Sequence, residues 1–160
     1  MLAKTHVIFG AGSALVVSQV MHLPLSPSIL MVSAGVIGSL LPDIDHPTST
    51  LGRRIWPASL IISKVFGHRG ITHSLLAVSA LVFLLVSNQH LSKTSLGLIV
   101  GYLSHLFGDF ITPHGIPVFW PIKKCYRIPR PIKTGGFGES VLATGVLLAG
   151  AAWVWNAHLS

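Results

Sequence analysis

The sequence predicts an all-α bundle of about five apolar helices that is integral to a membrane, and three observations favour this class. Hydrophobic residues occupy 51% of the 160 positions and charged residues only 9%. Soluble domains carry roughly 25% charged residues. The mean hydropathy is +0.70, and the apolar residues gather in long runs with few charges, which is typical of helices surrounded by lipid. The length predicts one domain over residues 1–160.

Five apolar segments define the predicted helices. They lie at about 6–23, 28–42, 74–87, 95–112 and 139–157. The second and third are shorter than the roughly 20 residues of a spanning helix, so they either extend into the flanking loops or pack as tilted, partly submerged elements. Small residues recur within the segments, among them Gly10, Gly35 and Gly150. Because small residues let helix backbones approach closely, we expect a compact bundle.

The basic residues predict the orientation in the membrane. If all five segments cross, ten of the eleven Lys and Arg residues lie on one side and Lys93 alone lies on the other. Basic loops stay in the cytoplasm, so the N-terminus is predicted to be cytoplasmic and the C-terminus to lie outside. A net charge of +7 also fits a nucleic-acid partner. No base-stacking or groove-reading motif accompanies it, so the lipid bilayer is the expected partner and no nucleic acid is expected.

A histidine and an aspartate four residues apart lie at the end of the fourth segment. On a helix, His105 and Asp109 project from the same face one turn apart, which is the spacing of two ligands to one divalent cation. The alternative is a hydrogen-bonded core pair, and for an isolated pair that is the commoner arrangement. The metal interpretation is favoured because ionisable residues inside a membrane are expensive and mark functional sites.

The other acids and histidines gather at the same end. All four acids and six of the nine histidines fall on the predicted cytoplasmic side. PDIDH at 42–46 follows the second segment, and HRGITHS at 68–74 leads into the third. Carboxylates crowded in this way would repel one another and lose hydration unless a cation lay among them. Nitrogen and oxygen ligands without thiolates favour one or two zinc or manganese ions. The candidate ligands are His6, Asp43, Asp45, His46, His68, His73, His105 and Asp109.

Each motif also has a purely structural interpretation. The DIDH residues lie between two prolines and can form a polar turn at the membrane surface. The HRGITHS stretch can begin a helix, and we predict that Thr72 is its N-cap whether or not His73 binds a metal. Glu139 can be a first-turn acid that the helix dipole favours. The conjunction of the motifs at one end is what favours a metal site over these separate explanations.

Four motifs in this order resemble a known family. TH at 5–6, PDIDH at 42–46, HRGITHS at 68–74 and HLFGD at 105–109 are together similar to the YdjM-like family of LexA-regulated, membrane-bound, metal-dependent hydrolases of bacteria. The resemblance covers nearly the whole chain and implies an inner-membrane protein with a hydrolase-type metal centre. More distantly, HxxxD is similar to the helical site of zinc-dependent phospholipases C and P1-type nucleases, whose further HxxxE pair this chain lacks.

Residues and resemblance together predict a multi-pass inner-membrane hydrolase of phosphoesterase type. The metal would activate water at the cytoplasmic interface for attack on an ester, and a phospholipid or another phosphoester is the preferred substrate. Arg69 is predicted to clamp a phosphate oxygen, since its planar fork matches that group, and Glu139 to be a general base or an outer partner. The alternatives are a divalent-metal transporter or sensor, and a non-catalytic membrane scaffold with a structural metal. Few polar residues continue to the far side, which disfavours the transporter.

Overall fold

The computed structural model describes residues 1–67 and 69–159, and the regular elements within these ranges are all helical. This confirms the predicted all-α class. The α-helices are α1 (Ala3–Val20), α2 (Leu25–Gly38), α3 (Trp56–Phe66), α4 (Leu75–Ser87), α5 (Lys93–Phe110) and α6 (Phe137–Leu159). Two short 3₁₀ turns, Pro42–Asp45 and Ile71–His73, lie before α3 and before α4.

The five predicted segments correspond to α1, α2, α4, α5 and α6, with ends shifted by a few residues. The remaining helix, α3, was not predicted, because the sequence interpretation assigned its residues to a loop. Proline occupies the first turn of α3, where its missing N–H leaves no helical hydrogen bond unmade. Gly67, with a φ of 78°, ends the helix.

Two stretches of the described chain are long and apolar enough to cross a membrane, judged by length and composition. They are Leu25–Asp45 and Phe137–Ala157. The apolar helices α3 and α4 are shorter than a spanning helix.

Glycines allow α5 to pack closely against α2. A Cβ on Gly101 would lie 2.0 Å from the carbonyl oxygen of Gly35, and a Cβ on Gly38 would lie 2.2 Å from the carbonyl oxygen of Leu98. Helix α1 packs against both helices, and α6 packs on α1. The close approach predicted from the small residues is thus found between α2 and α5, whereas a Cβ on Gly145 of α6 would meet no atom within 4 Å.

Ser74, rather than Thr72, is the N-cap of α4. The Ser74 hydroxyl accepts a hydrogen bond from the backbone N–H of Ala77. Thr72 lies in the preceding 3₁₀ turn, and its hydroxyl donates to Oδ2 of Asp45. The prediction for Thr72 was wrong because the turn delays the start of the helix by two residues and because Thr72 has a carboxylate as its partner.

Apolar side chains lie both in the core and on the outer surface, whereas a set of ionisable side chains is buried. Large apolar side chains are exposed on the outside, for example Phe83, Leu148 and Trp155. Among the residues that the structure describes, six ionisable side chains are at most 1% exposed, and they are His6, Asp45, His73, His105, Asp109 and Glu139. Ionisable residues are almost never fully buried unless they are paired, so the interior is built around a polar site.

Candidate metal centre

Four ligand atoms converge where the helices α2, α4 and α5 meet. Asp43 lies in the turn after α2, His73 in the turn before α4, and both His105 and Asp109 lie on α5. The Nε2 atoms of His73 and His105 are 3.3 Å apart. Oδ1 of Asp43 lies 3.9 Å from Nε2 of His73 and 3.7 Å from Nε2 of His105. Oδ2 of Asp109 lies 3.7 Å from Nε2 of His73 and 3.8 Å from Nε2 of His105. We call these four residues the ligand cluster.

Both histidines of the ligand cluster are oriented through Nδ1. Nδ1 of His105 is 2.6 Å from the carbonyl oxygen of Ser39, which only accepts, so Nδ1 carries the hydrogen. Nδ1 of His73 is 3.0 Å from the Thr72 hydroxyl and 3.4 Å from Oδ2 of Asp45. Because that hydroxyl donates its own hydrogen to Asp45, it can only accept from His73. Each Nε2 therefore directs a lone pair into the ligand cluster, as in histidines that bind metals.

Asp109 has polar partners at both of its oxygens. Oδ2 faces the ligand cluster and forms an ion pair with Nη2 of Arg69 at 2.9 Å. Oδ1 contacts the amino group of Met1 and lies 3.3 Å from Nε2 of His6. The ring of His6 stacks on that of His105 with 3.6 Å between centroids. His6, His105 and Asp109 form a second group whose ligand atoms lie within 4.8 Å of one another, so these residues too could hold an ion.

The other predicted ligands lie elsewhere or outside the described chain. Asp45 is buried behind His73, where its Oδ2 accepts from the Arg69 backbone N–H at 2.9 Å. His46 is half-buried, and its Nδ1 lies 2.9 Å from the Thr48 hydroxyl. Neither residue belongs to the closely spaced ligand groups found among residues 1–67 and 69–159. His68 lies outside the described residues.

Arg69 and Glu139, predicted as catalytic groups, occupy different positions. The guanidinium of Arg69 contacts Asp109 and reaches the carbonyl oxygen of Gly115 at 3.4 Å, so it borders the ligand cluster. Glu139 accepts hydrogen bonds from the backbone N–H groups of Leu2 and Gly135, both at 2.8 Å. It therefore ties the start of α1 to the start of α6 and lies outside the closely spaced ligand groups of the described chain.

Sequence interpretation missed two supports of the site. The Ser39 carbonyl that orients His105 is a backbone group, so no side-chain pattern could have indicated it. Tyr102 donates a hydrogen bond from its hydroxyl to the carbonyl oxygen of Thr72 at 2.6 Å and thereby ties the turn before α4 to α5. Tyr102 precedes His105 by three residues on α5, and this helical spacing was a signal that could have identified it.

A cavity of about 440 Å³ adjoins the ligand cluster, with Arg69 in its wall. Two larger cavities, of about 460 and 670 Å³, lie at the opposite end of the bundle and are lined mainly by apolar residues. The smaller cavity has the better claim to be functional because it lies beside the ionisable groups. The cavity beside the cluster is lined by Phe66, Gly67, Arg69, Gly70, His114, Gly115, Pro117, Trp120, Lys123 and Cys125.

Comparisons with known proteins identify relatives along nearly the whole chain. Residues 1–159 match the family described as YdjM inner membrane protein. YvsG of Bacillus subtilis is 36% identical over 149 residues, which cover 93% of this chain and 91% of the relative. Inner membrane protein YdjM of Escherichia coli is 35% identical over 170 aligned positions, which cover 99% of this chain and 84% of the relative. No solved structure matches the chain. The chain belongs to the YdjM family of inner membrane proteins.

Proposed function

We propose that this protein is a metal-dependent hydrolase of the inner membrane that cleaves a phosphoester of a lipid. The observation that carries the proposal is the ligand cluster, in which two imidazole lone pairs and two carboxylates face one another. Both Nδ1 atoms donate their hydrogens to acceptors, so neither Nε2 carries a hydrogen. The lone pairs of the two Nε2 atoms and the two carboxylates therefore repel one another. A divalent cation is the partner that this set of donors fits.

The separations of the ligand atoms favour zinc over an octahedral ion. Ligands about 2.1 Å from a tetrahedral zinc ion lie about 3.4 Å from one another. Neighbouring ligands at the same distance from an octahedral ion lie about 3.0 Å apart. The shortest and longest separations between a histidine and another member of the ligand cluster are 3.3 and 3.9 Å. The tetrahedral arrangement is the closer match.

A second ion at His6 and Asp109 would supply the open site that catalysis needs. The ligand cluster alone completes a four-ligand shell, and closed shells are typical of structural zinc. His6 and Oδ1 of Asp109 leave positions for water and substrate. The amino group of Met1 already brings positive charge to Oδ1, so a cation there would replace another cation. We therefore infer two ions, one that the ligand cluster would hold and a second that His6 and Asp109 would hold.

Each part of the site has a defined role in this proposal. When bound, the divalent ions would lower the pKa of a coordinated water and polarise the phosphoryl group. Arg69 borders both the ligand cluster and the cavity, so it can hold a phosphate oxygen next to Asp109. Asp45 keeps His73 and the Arg69 backbone in place. The exposed apolar outer surface and the membrane family support a substrate that resides in lipid.

Metal removal tests the proposed activity. The zinc-loaded protein in detergent is expected to hydrolyse a fluorescent phosphatidic acid or a phosphodiester probe. A chelator should lower the rate at least about a hundredfold, and added zinc should restore it, because all of the proposed water activation depends on the ions. Activity that survives chelation would contradict the metal mechanism.

A scaffold with a structural metal is the second candidate function. Asp43, His73 and His105 form one closely spaced group, and Oδ2 of Asp109 lies 3.7 and 3.8 Å from the two histidines. Four such ligands would suffice for a structural zinc site, and this observation favours the scaffold. Protein that carries its full zinc content but hydrolyses no phosphoester would support the scaffold and contradict the hydrolase. A metal transporter is less well supported, because the cavities at the far end are mainly apolar.

We further infer that α1, α2, α4, α5 and α6 cross the membrane, with the N-terminus in the cytoplasm. The membrane family and the two long apolar stretches support an integral bundle. The ten-to-one distribution of basic residues supports this orientation. The ligand cluster then lies at the cytoplasmic end, and α3 lies beside it at the membrane surface.

Reporter fusions test this topology. A reporter fused after Ser160 is expected to give a periplasmic signal, and one inserted near Lys124 a cytoplasmic signal, because α6 separates the two positions. The reversed pair of signals would invert the orientation and move the site to the periplasmic side. Signals from the same side would mean that α6 does not cross.

A further inference from the structure

The lining of the cavity beside the ligand cluster is basic. Arg69 and Lys123 contribute two cations, and His114 contributes an imidazole. No acid lines the cavity among the described residues. The chain has only four acids, and three of them are at most 1% exposed. Such a lining attracts an anion, and about 440 Å³ is within the usual size of a small-ligand site.

We propose that this cavity is a phosphate-binding subsite in which Lys123 is the second cation beside Arg69. The proposal rests on the proposed function, since it names the part of a phosphoester substrate that the site recognises. Arg69 offers five N–H donors, and its contacts with Asp109 and the Gly115 carbonyl involve one terminal nitrogen each without using all of their hydrogens. Lys123 adds a point charge from the loop after α5.

The position of Arg69 would bring a bound phosphate to the ligand cluster. Its backbone has a φ of 58°, a conformation that residues other than glycine rarely adopt. The hydrogen bond from its N–H to the buried Asp45 holds this conformation. Its Nη2 lies 2.9 Å from Oδ2 of Asp109 while the side chain also lines the cavity. An anion held by Arg69 therefore lies next to the proposed ions.

The loop that carries Lys123 is fixed on both sides of that residue. Ile116 and Tyr126 exchange two backbone hydrogen bonds of 3.0 and 2.9 Å, which close the loop around Lys123. At Gly115, where φ is 68°, a Cβ would lie 2.4 Å from the Tyr126 carbonyl oxygen, so this closure requires glycine. Lys123 thus belongs to a loop with a defined closure.

Aromatic side chains form the apolar part of the cavity wall. Phe66, at the end of α3, and Trp120 meet edge to face with 6.0 Å between ring centroids. Both line the cavity. A tryptophan beside a basic residue is typical of the zone where lipid headgroups lie. The subsite thus suits a phosphate group that is attached to a less polar part, whether that part is a glycerolipid or a soluble alcohol.

The neighbouring lysines provide a matched pair of variants. Lys123 lines the cavity, whereas the ammonium group of Lys124 lies over the ring of Tyr126 at 5.5 Å from its centroid. Lys123→Ala and Lys124→Ala remove the same charge from adjacent positions. In zinc-loaded, detergent-purified full-length protein, calorimetric titration with inorganic phosphate is expected to show at least tenfold weaker binding in Lys123→Ala. Binding in Lys124→Ala should stay within about twofold of wild type.

Competition separates the two sources of the phosphate group. Phosphatidic acid in mixed micelles should displace inorganic phosphate from the wild type if the ligand is a lipid. Binding of inorganic phosphate without such competition would keep the subsite and assign it to a soluble phosphoester. No phosphate binding by the wild type, or equal weakening in both lysine variants, would overturn the proposal.

The phosphate-binding proposal and the hydrolase proposal can be rejected independently of each other. Both lysine variants are expected to keep the zinc content of the wild type, since neither lysine belongs to the ligand groups. Phosphate binding that depends on Lys123, in protein that hydrolyses no phosphoester, would retain the subsite and reject the catalytic function. Hydrolysis that is lost on chelation but unchanged in Lys123→Ala, with phosphate binding also unchanged, would retain the hydrolase and reject the subsite.

Discussion

His105→Ala and Asp109→Ala are each expected to insert into the membrane at wild-type levels and to lose bound zinc almost completely. Replacing a polar intramembrane group by alanine removes a burial penalty, so insertion should not suffer. His105 supplies an Nε2 that faces the other members of the ligand cluster, and Asp109 offers one oxygen to each proposed ion. The double variant should be little worse than either single one, because the residues act as one unit. Elemental analysis of purified protein measures the effect.

Two further variants separate ligands from supporting residues. His6→Ala should keep one zinc ion and lose hydrolysis, because Nε2 of His6 lies at Oδ1 of Asp109 and His6 is not a member of the ligand cluster. Asp45→Asn should lower zinc affinity about 10–100-fold while leaving the content at saturating zinc unchanged, as is typical of groups that orient a ligand. A loss of zinc at saturation in Asp45→Asn would instead make Asp45 a ligand, as the sequence predicted.

Unchanged zinc content in both His105→Ala and Asp109→Ala would contradict the metal centre. The ligand cluster would then be a packed set of polar groups, and the proposed hydrolase mechanism would have no metal to activate water. Substoichiometric zinc in the wild type and in all of the variants would also contradict the metal centre.

Gly101→Ala is expected to destabilise the bundle strongly. The added Cβ would lie 2.0 Å from the carbonyl oxygen of Gly35, and a backbone atom cannot yield as a flexible side chain can. Helix α5 must then move away from α2. Overpacking of this kind destabilises by about 3 kcal/mol, which corresponds to a fall of about 10 °C in the melting temperature for a chain of this size. Zinc affinity should fall as well, because the same shift separates His105 from the Ser39 carbonyl.

Gly145→Ala is the matched control for the substitution in α5. It makes the same change within a helix, but its Cβ would meet no atom within 4 Å. Its melting temperature should equal or slightly exceed that of the wild type, since alanine favours a helix by about 1 kcal/mol over glycine. If Gly101→Ala had the melting temperature of the wild type, α2 and α5 would have to lie farther apart than they do in the structure.

Local patterns in the sequence were sufficient for the all-α class and for the shared helix face of two candidate ligands. Apolar runs located five of the six α-helices in the described part of the chain, because hydropathy along a helix is a local property. The four-residue spacing of His105 and Asp109 was enough to place both on one face of α5. The missed helix, α3, has 11 residues, and a run of that length between basic loops does not stand out as a membrane segment.

Long-range packing selected the ligand cluster from the larger set of candidates. Asp43 and Asp45 belong to the same motif, yet Asp43 faces the two Nε2 atoms and Asp45 contacts Arg69 and Thr72. The spacing could not distinguish them, because residues two apart in a 3₁₀ turn point in different directions and the turn type was unknown. The direction of each His105 nitrogen depends on the carbonyl of Ser39, directly after α2, which lies near His105 because glycines let α2 and α5 pack closely. The orientation of the His105 ring therefore depends on how two backbones pack, and no local sequence pattern indicates it.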